Sequence, residues 1–126
     1  MDPTDRRYTS EHEWVKLDGD LAVVGITSFA QDQLGDVVYV ELPKPGDRVE
    51  AAKTFGVIES VKTASDLFAP ISGTVESVNT QLMTEPQLVN DGPYEQGWLI
   101  KVTPDDPSDI TTLMTAEQYA DQVAGS

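Results

Sequence analysis

Thr54-Phe55-Gly56-Val57-Ile58-Glu59-Ser60-Val61 runs into Lys62-Thr63-Ala64-Ser65-Asp66 and then Leu67-Phe68-Ala69-Pro70-Ile71. The first run alternates at the two-residue period of a strand. Phe55, Val57 and Val61 share one face, and the other holds Thr54, Gly56 and Ser60 beside Ile58. The middle residues are small or polar and break the apolar pattern, which the third run resumes. The stretch reads as strand, exposed tight turn, strand, with Lys62 at or near the tip. Gly46 lies 16 residues before Lys62 and Gly73 lies 11 after it. Both are placed to permit the sharp turns that return the flanking strands into register.

Earlier in the chain, Glu13-Trp14-Val15-Lys16-Leu17 and Leu21 to Ile26 flank the turn-like Asp18-Gly19-Asp20 and predict a hairpin. Asp36 to Leu42 is a β-branched and aromatic strand, apolar at both parities and so expected to be buried on both faces. Gly73 to Val78 and Trp98 to Val102 complete the series. So many short strands between turn residues predict an all-β core. Ser28 with Gln31 has capping-box spacing, and Gly35 supplies a stop after Leu34. Pro86 to Asn90 is expected to form a single turn. In the last segment Ser108 is expected to cap a first helical piece through Met114, and Thr115 with Gln118 to cap a second. Ile110, Leu113 and Met114 form an apolar stripe, and Trp14, Tyr39 and Trp98 are expected as core aromatics.

The 126 residues suit one domain. They carry 22 acids against 8 Lys and Arg, a formal charge of −14 that disfavours nucleic acid and anionic membranes as partners. Residues 63–126 hold 10 of the acids and one base, Lys101. There is no cysteine and one histidine, His12. Disulfides, a thiolate nucleophile and any two-histidine metal site are thereby excluded. The polar start, Met1 to Arg7, lacks an apolar run of the kind a secretory signal needs, so a cytoplasmic protein is expected. The longest apolar run, Leu21 to Ile26, is far too short to span a bilayer.

An exposed lysine with small neighbours has nothing to desolvate it, so Lys62 does not read as a Schiff-base nucleophile. It suits acylation by another enzyme, which removes its charge and turns it into a longer tether. Glu59-Ser60-Val61-Lys62-Thr63-Ala64-Ser65-Asp66 resembles the lipoyl-attachment motif of the glycine cleavage system H protein family. The resemblance extends through Tyr8 to Val15, Val24 to Thr27, Ala30 to Asp36, Val38 to Pro43, Ala69 to Gly73, Leu88 to Asn90, Pro93-Tyr94, and Gly97 to Lys101. It covers about residues 8–120, and many separated blocks agree in order and spacing.

The resemblance implies a mainly β, lipoyl/biotinyl-type barrel-sandwich hybrid (hammerhead) with short helices and a C-terminal helical segment. It implies one lipoyl-carrier domain over residues 1–126, with a core of about 8–104 and the helical segment at about 108–123. Its role is to carry, not to catalyse. Lipoate is amide-linked to the lysine matching Lys62 and accepts the aminomethyl group of glycine from a pyridoxal-phosphate glycine decarboxylase, the P protein. The arm passes it to a tetrahydrofolate-dependent aminomethyltransferase, the T protein, and is reoxidised by dihydrolipoamide dehydrogenase, the L protein. A lipoate ligase or a lipoyl/octanoyl transferase installs the arm, and a monomer is expected. Glu59 matches an acidic residue that helps the lipoylating enzyme recognise the hairpin. Glu13 and Asp66 match positions near the cleft into which the family folds its loaded arm. His12 matches a recurrent histidine read as structural. The sequence departs from the family at Gln33, where some members carry histidine, and at Glu50-Ala51-Ala52-Lys53-Thr54, where a turn glycine is more usual.

A chain without cysteine performs dithiol chemistry only with a borrowed dithiol, and it has no thiol of its own to exchange with the lipoyl disulfide. A biotinyl carrier typically flanks its lysine with methionines, whereas Val61 and Thr63 stand here. A lipoyl domain of a 2-oxoacid dehydrogenase acyltransferase lacks the C-terminal helices. An H-like lipoate-relay or interaction protein that does not serve glycine decarboxylation shares the attachment motif and is separated from the H protein only by assay.

Overall fold

The structure, a computed structural model, describes residues 2–125; Met1 and Ser126 lie outside the described residues. Strands β1 (Arg7–Tyr8), β2 (Glu13–Asp18) and β3 (Leu21–Ile26) lead into α1 (Ser28–Leu34) and β4 (Val37–Glu41). β5 (Arg48–Val49), β6 (Thr54–Ser60), β7 (Ala64–Phe68) and β8 (Gly73–Val78) follow. After a 3-10 segment (Thr80–Met83) come α2 (Leu88–Asp91), β9 (Ile100–Pro104), a second 3-10 segment (Pro107–Thr112) and α3 (Ala116–Ala124). Six strands form one antiparallel sheet in the order β1-β2-β3-β9-β8-β5, and three form another in the order β4-β6-β7. Val15, Val24 and Val102 of the first sheet share one buried cluster with Val40, Ile58 and Leu67 of the second. The main core therefore lies between the sheets, where β4 and β6 bury one face each, while β2 buries Val15 on that side and Trp14, of opposite parity, in a second cluster.

That one-sided burial corrects two expectations. β6 buries Ile58 completely, whereas Val61 is 69% exposed. The chain leaves the strand at Ser60, so Val61 belongs to the turn, and a register shift between Thr54 and Gly56 breaks the alternation. β4 buries Val37 and Val40 but exposes Val38 and Tyr39, at 52% and 48%. Its outer face meets solvent, and a register shift between Val37 and Tyr39 lies in this strand. Tyr39 is thus no core aromatic. Trp14 is one, and its indole N–H donates to the carbonyls of Ile26 and Pro93 at 3.0 Å. Trp98 is half-buried, with the Lys101 ammonium 4.8 Å from its ring.

The helix caps also move by a residue or two. Thr27, not Ser28, caps α1: it is extended (φ −80, ψ 164), and its Oγ1 accepts the Ala30 N–H. Ser28 is already inside the helix. Asp106, not Ser108, caps the second 3-10 segment. The expected continuous stripe is interrupted because Met114 leaves the helical path to pair with Tyr8, exchanging N–H···O bonds of 2.9 and 3.0 Å. Ile110 and Leu113 then join the main core, while Met114 joins a second cluster with Tyr8, Trp14 and Tyr119. Thr115 and Gln118 form the expected capping box of α3. Gly46 makes its turn with φ 93. Gly73 instead serves close approach, since a Cβ there would stand 2.3 Å from the Thr103 carbonyl oxygen.

Candidate functional site

β6 and β7 pair antiparallel and place Lys62 at their tip, exposed. The turn is braced by its own small polar residues. The Ser60 N–H donates to the Thr63 carbonyl at 2.8 Å, and Ser60 Oγ accepts from the N–H groups of Lys62 and Thr63 at 3.3 and 3.2 Å. This is a Ser-based local turn. The Val61 N–H donates to the Asp36 carbonyl at 3.0 Å, tying the tip to the loop between α1 and β4. In that loop Gly35 has φ 77 and ψ −155, a region essentially reserved for glycine. A Cβ on Gly35 would stand 3.2 Å from Lys62 Cε, so the missing side chain leaves the lysine stem its path. Asn90 of α2 secures this floor. Its amide nitrogen donates to Gly35 O and Gln31 Oε1 at 2.8 and 3.0 Å, and its oxygen accepts the Val37 N–H at 2.9 Å.

Beside the tip opens a cleft of about 580 Å³, within the usual range for small-molecule sites. Thr63, the neighbour of Lys62, is part of its lining. Phe29 and Ala30 of α1, Ile58 and Leu67 of the three-stranded sheet, and Val123 of α3 give it apolar walls. Glu13, Gln33 and Asp66 line this cleft, and Asp66 also borders a pocket beside Val57. Glu59 does not line the cleft. It lies exposed on β6, opposite Tyr39 and Ala64. Asp66 is not a turn residue either: it is an exposed member of β7, paired with Val57.

Glu13 is only 2% exposed. Its carboxylate accepts the Thr9 hydroxyl at 2.7 Å on one oxygen and the Phe68 N–H at 3.1 Å on the other. Burial disfavours the charged form and pushes its pKa up to about 7, with the two hydrogen bonds opposing and Glu11 adding to the rise. The resemblance places it near the cleft, and the structure makes it a buried acid in the cleft wall. His12 also lines the cleft, in a left-handed backbone conformation (φ 69), with its ring centroid 4.7 Å from that of Phe29. Its Nδ1 lies 2.7 Å from the Tyr119 hydroxyl. Sequence reasoning missed Thr9, Thr27, Phe29, Tyr119 and Val123 as neighbours of the site. A capping box announces α3, but nothing local says which wall that helix completes.

Among the described residues no group of three or more His, Asp or Glu is disposed to hold a metal ion. What the geometry offers is an exposed amine on a stiff projection beside an apolar cleft with carboxylates. Such a cleft suits a tethered apolar chain ending in a cation, which carboxylates hold by charge-assisted hydrogen bonds.

The two-sheet fold with a lysine at its hairpin tip defines a carrier module of the lipoyl-type barrel-sandwich class. The glycine cleavage H-protein family matches residues 6–125, and the chain belongs to that family. It is 56% identical over 117 residues to the glycine cleavage system H protein of Bacillus pumilus, covering 93% of this chain and 92% of that one. The H protein of Bacillus subtilis matches with the same identity and coverage. The crystal structure of a glycine cleavage system H protein from Mycobacterium marinum superposes with a TM-score of 0.90 at 42% identity, over 98% of this chain and 99% of that one. The protein is therefore a carrier subunit of the glycine cleavage system, not a catalyst, with lipoate joined covalently to a lysine. Its family works with the P, T and L proteins. The cleft fits that group: its apolar walls match an aliphatic chain and dithiolane, and its carboxylates match an amine-bearing end. No helix among the described residues is long and apolar enough to cross a membrane.

Proposed function

We propose that Lys62 is the lysine that bears lipoate. The observation that carries this reading is its position: an exposed amine at the tip of a braced hairpin, one residue from the lining of the cleft. Once attached, the lipoyl group supplies the disulfide and dithiol chemistry that a chain without cysteine lacks. The chain's own residues present and shelter it. Ser60 and Asp36 hold the tip rigid, which keeps the arm's effective concentration high at each partner site. The apolar walls exclude water from a folded-back arm. Glu13 and Asp66 receive the aminomethyl ammonium, and an arriving cation draws Glu13 into its charged form. Glu59, outside the cleft, is free for recognition by the ligase or the lipoyl/octanoyl transferase that installs the arm. The whole chain acts as one carrier domain, a monomer in the cytoplasm.

Intact-mass analysis after incubation with lipoate and its ligase tests the assignment. One lipoyl group is expected, mapped to Lys62, and Lys62→Arg should neither be lipoylated nor support glycine-dependent CO2 exchange with the decarboxylase. Modification of another lysine overturns the site. Fully lipoylated protein that fails to restore exchange overturns the carrier role and leaves lipoate relay.

A further inference from the structure

We propose that Tyr119 is a positioning residue for the cleft: its hydroxyl accepts the Thr27 hydrogen and donates its own to His12 Nδ1, holding His12 as the neutral Nε2–H tautomer. Tyr119 and Thr27 are both fully buried. The Tyr119 oxygen lies 2.7 Å from Thr27 Oγ1 and 2.7 Å from His12 Nδ1. Thr27 Oγ1 already accepts the Ala30 N–H at 3.2 Å as the cap of α1. Among the described residues the only acceptor its own hydrogen meets is Tyr119. The direction of the chain follows. Were Nδ1 the donor, Tyr119 would turn its hydrogen to Thr27, and the Thr27 hydrogen would be stranded where folded proteins rarely leave a donor. The proton of His12 therefore sits on Nε2. No buried side-chain nitrogen or oxygen lacks a partner among the described residues, and Nε2 has none, so Nε2 reaches solvent.

One hydroxyl thus joins three parts of the cleft: the segment before β2 through His12, the start of α1 through Thr27, and α3 itself. Tyr119 is held in turn by stacking on Tyr8, with centroids 4.9 Å apart. Burial also pushes the His12 imidazole toward its neutral form, against the nearby Glu11. The charged groups sharing its cleft are Glu11, Glu13 and Asp66; α1 and α3 contribute none to the lining. Neutrality also matters for cargo, a consequence that rests on the carrier role proposed for Lys62. An imidazolium here would compete for Glu13 and Asp66 and repel a cationic cargo. A neutral ring leaves both carboxylates to the cargo and offers one N–H donor to an acceptor on the arm.

The test uses the fact that His12 is the only histidine. In unlipoylated protein labelled with 15N in imidazole, two-bond 1H–15N spectra near pH 8 show one ring. The expected result is a tautomer ratio more biased to Nε2–H than in free histidine, with Nδ1 shifted as a hydrogen-bond acceptor. In Tyr119→Phe both features should relax to those of free histidine. A wild-type ring that is Nδ1–H or indistinguishable from free histidine overturns the proposal even if the variant does not fold, and an unchanged variant spectrum also overturns it. With lipoylated, loaded carrier alone in buffer, Tyr119→Phe should shorten the lifetime of the cargo about fivefold, the effect of one hydrogen bond. Lipoylation of Lys62 should not change. A shifted tautomer with an unchanged lifetime overturns the positioning role, whereas lipoylation at a different lysine overturns the functional reading and leaves the tautomer result standing.

Discussion

Glu13→Gln isolates the energetic consequence of burying an acid in the cleft wall. Glutamine retains a carbonyl to accept the Phe68 N–H and an amide to face Thr9 Oγ1, but it does not titrate. In the folded chain the Glu13 carboxyl has its pKa raised from 4.5 to about 7. The folded state therefore holds the proton more tightly than the unfolded one. The associated stability is fully present below the unfolded value and is lost as pH rises through the folded one. Each tenfold gain in proton affinity is worth about 1.4 kcal/mol, so wild type should lose about 2 to 3 kcal/mol relative to Glu13→Gln between pH 5 and pH 8. Urea unfolding of both proteins across that range measures the difference. Any constant cost of the substitution cancels, because only the slope with pH is read. Profiles that run parallel would refute the burial argument, and a difference that widens in favour of wild type at high pH would invert it. Lipoylated carrier bearing an amine on the arm should show a smaller slope, since an ammonium near Glu13 lowers its pKa.

Gly35→Ala should lower the urea midpoint by the equivalent of about 1 to 3 kcal/mol with no change in m, because alanine must enter a glycine-only region; an unchanged midpoint would show that the loop relaxes freely. The same variant should slow lipoylation, as its Cβ would crowd the Lys62 stem at 3.2 Å, and a rate equal to wild type would remove Gly35 from the site. Ala52 is left-handed at φ 67, so Ala52→Gly should raise stability by up to about 1 kcal/mol. A lower midpoint would mean that the alanine is not strained. Thr115→Ala removes the side-chain half of the α3 capping box and should cost about 1 kcal/mol in thermal unfolding; a cost near zero would place α3 outside the cooperative unit.

Much of the fold is legible along the chain because strands, turns and caps are local. Gly19 and Gly46 mark turns, Thr115 and Gln118 announce α3, and the small residues around Lys62 mark the exposed tip. Errors arise where a neighbour in space overrides the local pattern. Met114 would continue a helix by spacing, but the edge of β1 takes its backbone hydrogen bonds. Tyr39 and Val38 are apolar enough for a core, yet each leaves about half of its surface in solvent, at 48% and 52%. The two-residue strands β1 and β5 are too short for any period to register.

Residue identities and near neighbours were enough to place the Lys62 hairpin, to exclude any thiol and to pick out the positions that match a lipoyl carrier. Such features depend on contacts a few positions along the chain. Packing is what makes Glu13 a buried acid, leaves Glu59 outside the cleft, and brings Tyr119 to His12 from 107 positions away. Desolvation and hydrogen-bond partnership belong to packed surroundings rather than to a residue. They come into being only when β2, α1, the β6–β7 hairpin and α3 converge on one cleft.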